Sequence, residues 1–256
     1  MTADACPEIP PTADADTAPL MPQTLQWLPA AGPYAQLMIL LHGWGGRAAD
    51  MAALAQRLRQ AFPQAALLAP EGFEAAGSGG GRQWFSVAGA DGSVTETNRP
   101  ARVVAALAPL ADWVRAAQAA TGVSEAATAL VGFSQGAIVS LELVQQHDGI
   151  AGRVLAFAGR YASLPDAAPR NTTLHFFHGA DDSVIPAAQA WLAIERLAVL
   201  RGDATIDIAQ GVGHKLPMAL VDRAIDRLRS HIPQRTWAAA MGVVPELAAK
   251  PPGQDD

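Results

Sequence analysis

This chain of 256 residues has a single cysteine, Cys6, which excludes an intramolecular disulfide and fits a reducing compartment. It has no apolar run near the length of a membrane span, so no stable membrane insertion is expected. Hydrophobic residues nevertheless make up 50% of it, which implies a large buried core. The opening stretch, Met1–Glu8, lacks the basic and apolar regions of a secretory signal, and a cytoplasmic location is expected. A basic field is missing too. The net charge is −6, and residues 1–22 carry Asp4, Glu8, Asp14 and Asp16 with no Lys or Arg, leaving −2 for the remainder. That balance excludes nucleic acid as a partner. No internal repeat is visible. Gly77–Arg82 is rich in glycine but lacks the G-K-[ST] of a phosphate-binding loop. It is expected to be a mobile surface loop near the rim of the site, able to gate substrate access.

What is present is an alternation of strand-like and helix-like segments. Apolar or alternating runs predict strands near 24–28, 36–41, 65–69, 127–132, 153–158, 172–178 and 204–209. Helical periodicity marks 49–61, 99–120, 135–147, 186–201 and 217–231, with Pro100 suited to a helix start. Such an order predicts a single α/β domain over residues 23–233, with a mostly parallel sheet covered by helices on both faces. Residues 159–171 are too few for a cap domain, so the cleft is expected to be open. The Pro-, Ala- and Asp-rich residues 1–22 are expected to be disordered. The tail at 234–256 is expected to form one short helix near 236–241 and otherwise fray.

The chemistry centres on Gly132-Phe133-Ser134-Gln135-Gly136. This G-x-S-x-G match lies between an apolar strand and an apolar-faced helix, the setting of a nucleophile elbow. Ser134 must stand at the apex, and a side chain two residues to either side would collide with the neighbouring strand or helix. In the α/β-hydrolase order an acid and then a histidine follow the serine. His147 ends the helix that starts at the elbow, His175 and His178 flank the apolar Phe176-Phe177, and His231 closes a late helix. His214, in the flexible Gly211–His214 loop after the last strand, is therefore the base. Asp181 and Asp182, in the loop leaving the strand at 172–178, are both candidates for the acid. The N–H of Gln135 is one oxyanion donor, and another should come from the loop His42-Gly43-Trp44-Gly45-Gly46 after an early strand. His42 itself is expected to tie down that loop.

Taken together, Leu41-His42-Gly43-Trp44-Gly45, the elbow, His178-Gly179-x-x-Asp182-x-x-Ile185-Pro186 and Gly213-His214 resemble the phospholipase/carboxylesterase family of α/β-hydrolases. Gly81–Ser86 and Phe157–Pro165 are similar to its small bacterial serine esterases. The resemblance runs over roughly residues 22–234. It implies Asp182 rather than Asp181 as the acid, and the Trp44 N–H as the second oxyanion donor. Trp44 stands where relatives often carry Leu, and Ile185 where Val is usual. Trp84, Arg160 and Tyr161 are candidates for the substrate pocket, with plain core packing the alternative for Trp84. The implied activity is hydrolysis of a small-molecule ester or thioester through an acyl-enzyme, with no metal or cofactor. Short to medium acyl chains are favoured, and long-chain acyl-protein thioesterase or lysophospholipase action is the alternative. A non-catalytic binding module on the same scaffold would need a lost triad member, and none is lost. The oligomeric state is open.

Overall fold

The computed structural model describes residues 23–87 and 99–242. The tail expected at 1–22 and the end of the chain beyond 242 lie outside them. The strands are β1 (Thr24–Trp27), β2 (Gln36–Leu41), β3 (Ala65–Pro70), β4 (Glu74–Ala76), β5 (Gly81–Gln83), β6 (Thr128–Phe133), β7 (Arg153–Phe157), β8 (Thr173–Gly179) and β9 (Ala204–Ala209). The helices are α1 (Ala52–Ala61), α2 (Arg99–Thr121), α3 (Gln135–Gln146), α4 (Ala188–Val199), α5 (Met218–Ser230) and α6 (Gln234–Ala240).

Seven strands form one sheet in the order β1-β3-β2-β6-β7-β8-β9, with every pairing parallel except β1 against β3. Strand periodicity sends alternate side chains to opposite faces. From β2, Leu37, Ile39 and Leu41 join a core with α2, α3 and α4, while Met38 and Leu40 join a second core with α1 and α5. β8 divides in the same way, Leu174 and Phe176 to the first core and Phe177 to the second. Burying each such side chain is worth roughly 1.5–3 kcal/mol, which is why these central strands read as unbroken apolar runs. This is the α/β-hydrolase fold. Between β7 and β8 there is no helix or strand, as expected for a chain without a cap.

The topology arranges the loops that matter. β2 and β6 are neighbours, as are β8 and β9, and all four strands point the same way. Their exits at residues 42, 134, 180 and 210 therefore share one edge of the sheet, where parallel α/β sheets collect ligands. Among the described residues no helix is long and apolar enough to cross a membrane.

The glycine-rich stretch differs from expectation. It closes a two-stranded hairpin, β4 against β5, which is docked on the loop after β2. The Gly45 N–H donates to the Arg82 carbonyl at 2.9 Å and the Arg82 N–H to the Gly46 carbonyl at 2.8 Å. A Cβ on Gly81 would lie 2.2 Å from the Gly45 carbonyl oxygen, so only glycine permits that approach. The stretch is a brace rather than a gate. Helix α6 is likewise fastened: the Gln234 N–H reaches Asp203 Oδ2 at 3.2 Å, and Arg235 donates to Thr173 Oγ1 at 3.0 Å.

Candidate active site

Ser134 sits between β6 and α3 with φ 53° and ψ −113°, a conformation that costs on the order of 1–3 kcal/mol for a residue with a Cβ. Its neighbours hold it there. The Ser134 N–H donates to the Phe157 carbonyl at 2.9 Å, and its own carbonyl accepts from the Ile138 N–H at 3.1 Å. Both glycines of the motif are demanded by contact. A Cβ on Gly132 would stand 2.4 Å from backbone atoms of Gly136 and Ala137, and one on Gly136 would stand 2.1 Å from the Leu41 carbonyl oxygen. The second contact lets α3 start directly against the end of β2.

The residues expected to cooperate with Ser134 are brought together. His214 Nε2 lies 2.9 Å from Ser134 Oγ, and His214 Nδ1 lies 2.7 Å from Asp182 Oδ2. The carboxylate can only accept, so it fixes the tautomer with hydrogen on Nδ1 and leaves Nε2 to accept the serine proton. The His214 ring rests on Phe133, with centroids 5.2 Å apart. Its side chain is 18% exposed while that of Asp182 is wholly buried. The two loops are stitched to each other. The Asp181 N–H donates to the Val212 carbonyl at 2.9 Å, and a Cβ on Gly179 would lie 2.2 Å from that same oxygen.

Adjacent identical acids are told apart by burial: Asp181 is exposed and Asp182 is not. Asp182 Oδ1 accepts the N–H groups of Val184 and Ile185, each at 2.9 Å, so the carboxylate caps its own turn while its other oxygen faces His214. Burial pushes the carboxyl up, but hydrogen bonds from His214, Ile185 and Val184 outweigh it and hold the group below its usual range. His178 is a neighbour that the strand pattern concealed. Its Nε2–H donates to the Ile185 carbonyl at 2.7 Å and lies 3.3 Å from Asp182 Oδ2, and burial keeps the ring neutral.

His42 does tie down its own loop. Its Nε2 accepts the Gly72 N–H at 2.9 Å, which leaves Nδ1–H to donate to the Gly43 carbonyl at 2.7 Å. Burial holds this histidine below its usual value, so it stays neutral. The loop lies against the elbow, where a Cβ on Gly43 would stand 3.3 Å from Ser134 Cβ. The amides of Gly45 and Gly46 are spent on Arg82 and Gly43, and that of Trp44 has no acceptor among the described residues. Gln135 opens α3, so its N–H has no carbonyl a turn earlier to meet.

The pocket candidates fare differently. Tyr161 is 3% exposed and packs near Phe176, which places it with the core. The half-buried Glu142 accepts the Ala162 N–H at 2.6 Å, a tie that no local pattern announces. Trp84 is also interior, 1% exposed, its indole N–H donating to the His42 carbonyl at 2.8 Å. Arg160 is half-buried and turns its guanidinium to the Tyr161 carbonyl at 3.3 Å.

Comparison with known proteins agrees with this fold. The model of the phospholipase/carboxylesterase family matches residues 28–232. The chain belongs to this family. It is 42% identical over 224 residues to the esterase YpfH of Escherichia coli (strain K12), covering 88% of this chain and 92% of that one. Among solved structures, esterase PE8 superposes with a TM-score of 0.71 at 29% identity, covering 81% of this chain and 98% of that one. The Bacillus cereus carboxylesterase shares the fold, with a TM-score of 0.68 at 17% identity over 82% of this chain and 94% of that one. Within this phospholipase/carboxylesterase chain, the strained serine, imidazole and buried carboxylate at one sheet edge are an arrangement able to carry acyl transfer.

Proposed function

We propose that this carboxylesterase cleaves carboxylic esters of short to medium acyl chain through Ser134, His214 and Asp182. His214 Nε2 takes the hydroxyl proton as Ser134 Oγ attacks the ester carbonyl. Asp182 holds the Nδ1–H tautomer and stabilises the imidazolium that forms. The N–H groups of Trp44 and Gln135 receive the oxyanion of the tetrahedral intermediate, a contribution of about 10²–10³ in rate per donor. The alcohol leaves with the proton from His214, and water then cleaves the acyl-enzyme by the same route.

One observation carries the reading: the unbroken line of 2.9 and 2.7 Å contacts from a serine at φ 53° to a buried carboxylate. The preference for shorter chains rests on the uncapped cleft. A second reading, action on long acyl chains, is favoured by Trp44 and Val184, which are 55% and 65% exposed on the two loops that flank the site. Hydrolysis of p-nitrophenyl esters from acetate to palmitate separates the two, with kcat/KM expected to peak at or below about eight carbons. A fluorophosphonate probe should label Ser134, as read by peptide mass spectrometry, and the label should vanish in His214→Ala. An unlabelled Ser134 in folded protein would sink the mechanism and favour a binding role. Cytoplasmic residence is part of the same proposal, resting on the lone Cys6.

A further inference from the structure

The two residues assigned here as oxyanion donors are gripped, through their own side chains, by consecutive residues of one short segment. The Trp44 indole N–H donates to Gln83 Oε1 at 3.0 Å. One residue on, the Trp84 N–H donates to Gln135 Oε1 at 2.8 Å, and Gln135 Nε2 donates to the Phe85 carbonyl at 2.7 Å. The Gln83 amide is oriented from its other side, since its Nε2 donates to the Ala75 carbonyl at 3.0 Å and to Glu74 Oε2 at 3.3 Å. Only Oε1 is then left to face the indole.

Trp44 is 55% exposed although it is the largest apolar residue on the loop, so packing holds it only in part and the indole hydrogen bond helps to choose its rotamer. The backbone of the loop is pinned on either side of Trp44: the His42 carbonyl by the Trp84 indole, and Gly45 and Gly46 by Arg82. The peptide that carries the Trp44 N–H is held at its carbonyl, since the Gly43 oxygen accepts from His42 Nδ1–H at 2.7 Å and from the Gly46 N–H at 3.1 Å, and the Gln83 bond adds an anchor on the Trp44 side chain.

We propose that Gln83 is a positioning residue for the oxyanion hole. It grips the Trp44 indole while Trp84 and Phe85 grip the Gln135 amide, so that one segment of the β4–β5 hairpin sets the spacing between the two N–H donors. This rests on the mechanism proposed above. A residue with this role acts on the transition state, in which the oxygen carries charge, and hardly on ground-state binding. Misplacement of a catalytic group by about 1 Å costs up to roughly 10² in rate.

The test compares Gln83→Met, which keeps the length of the side chain, with Trp44→Phe, which keeps an aromatic ring, and with the double variant. Both substitutions cut the same bond. Hydrolysis of p-nitrophenyl butyrate should show kcat lower by roughly 10-fold or more in each, with KM within about two-fold. The double variant should be no slower than the slower single, since the bond can be lost only once. A kcat within two-fold of the unaltered chain in both singles, or losses that multiply in the double, overturns the proposal. If Gln83→Met does not fold, Trp44→Phe removes the bond from the exposed side and decides alone. Fluorophosphonate labelling separates the two levels. An unlabelled Ser134 in the unaltered chain removes the hole and this role with it, whereas a labelled Ser134 with kcat unchanged removes only the role of Gln83.

Discussion

The two ends of the sheet hold the same three kinds of group in different order. At the carboxyl end, the His214 ring lies between a hydroxyl, Ser134 Oγ at 2.9 Å, and a carboxylate, Asp182 at 2.7 Å. At the amino end, the carboxylate lies between a hydroxyl and a ring: Thr173 Oγ1 donates to Asp203 Oδ2 at 2.7 Å, and His231 Nε2 approaches Asp203 Oδ1 at 3.0 Å. In the first arrangement the hydroxyl proton points at a base. In the second it points at an anion that also fastens α6, and the hydroxyl oxygen accepts from Arg153 and Arg235 at 3.2 and 3.0 Å. Thr173 lies in a regular strand, while Ser134 is held at a positive φ. Under the proposed mechanism the same three kinds of group serve reaction at one end and attachment at the other, and their order decides which.

The hardest way to break the comparison is to remove each hydroxyl. Ser134→Ala should lower kcat for ester hydrolysis by at least about 10⁴-fold, with the unfolding midpoint little changed or raised as strain is relieved. Thr173→Ala should leave kcat within about two-fold and cost roughly 1–3 kcal/mol in urea unfolding, because buried partners lose their hydrogen bonds. Loss of esterase activity in Thr173→Ala at full stability would show that the far end takes part in turnover.

The carboxylates come next. Asp182→Asn should reduce kcat by roughly 10³–10⁴, since the amide no longer enforces the Nδ1–H tautomer. Asp181→Asn should change it little. Asp203→Asn should spare kcat and lower the thermal midpoint. The reverse ranking of the two neighbouring acids in steady-state kinetics would reassign the acid.

That neighbouring pair shows how far the chain could be read. The elbow was legible because its motif carries its own demands: Gly132 is forced by the start of the helix that follows, and Gly136 by the end of the neighbouring strand β2. Central strands such as β2 were legible because burial on both faces leaves only apolar residues. Residue type could not choose between Asp181 and Asp182, which differ in burial and not in chemistry, and there the family pattern was needed. The β4–β5 hairpin escaped notice because Gly77–Gln83 has no apolar alternation, and its place is set by backbone contact with Gly45 and Gly46. The burial of Tyr161 was not legible either, since the next residue, Ala162, is tied to Glu142, which is distant in sequence.

Glycines give a finer test. A Cβ on Gly136 would meet the Leu41 carbonyl oxygen at 2.1 Å, and one on Gly152, at the far end, would meet that of Ala126 at 2.3 Å. Overpacking of this kind costs typically about 1–3 kcal/mol at either place. Gly136→Ala should also lower kcat by about 10- to 100-fold, because it pushes the elbow away from the oxyanion loop. Gly152→Ala should lower the melting temperature and leave the kcat of the folded fraction unchanged.

The effect with the least bearing on turnover is on acid stability, and it separates the two ends by their pH windows. His175 is fully buried at the amino end, its Nδ1 2.8 Å from Thr205 Oγ1, among His231, Arg153, Arg227 and Asp203. Burial, reinforced by the positive charges around it, lowers it to about 3. In the unfolded chain the same group titrates near 6.5, so the unfolded state alone gains the proton between these values. Stability is therefore complete above about pH 6.5 and falls toward pH 3, on the order of 1 kcal/mol for each pH unit. Asp182 is lowered as well, but as a carboxylate its contribution is lost only as pH falls below about 4. Acidification from pH 6.5 to 5 should thus loosen the amino end first. Urea unfolding at pH 7.5, 6 and 5 should show that decline in the unaltered chain and a flatter profile in His175→Gln, which keeps a partner for Thr205 but cannot titrate. Equal slopes in the two proteins would place the acid sensitivity elsewhere and leave His175 as plain packing.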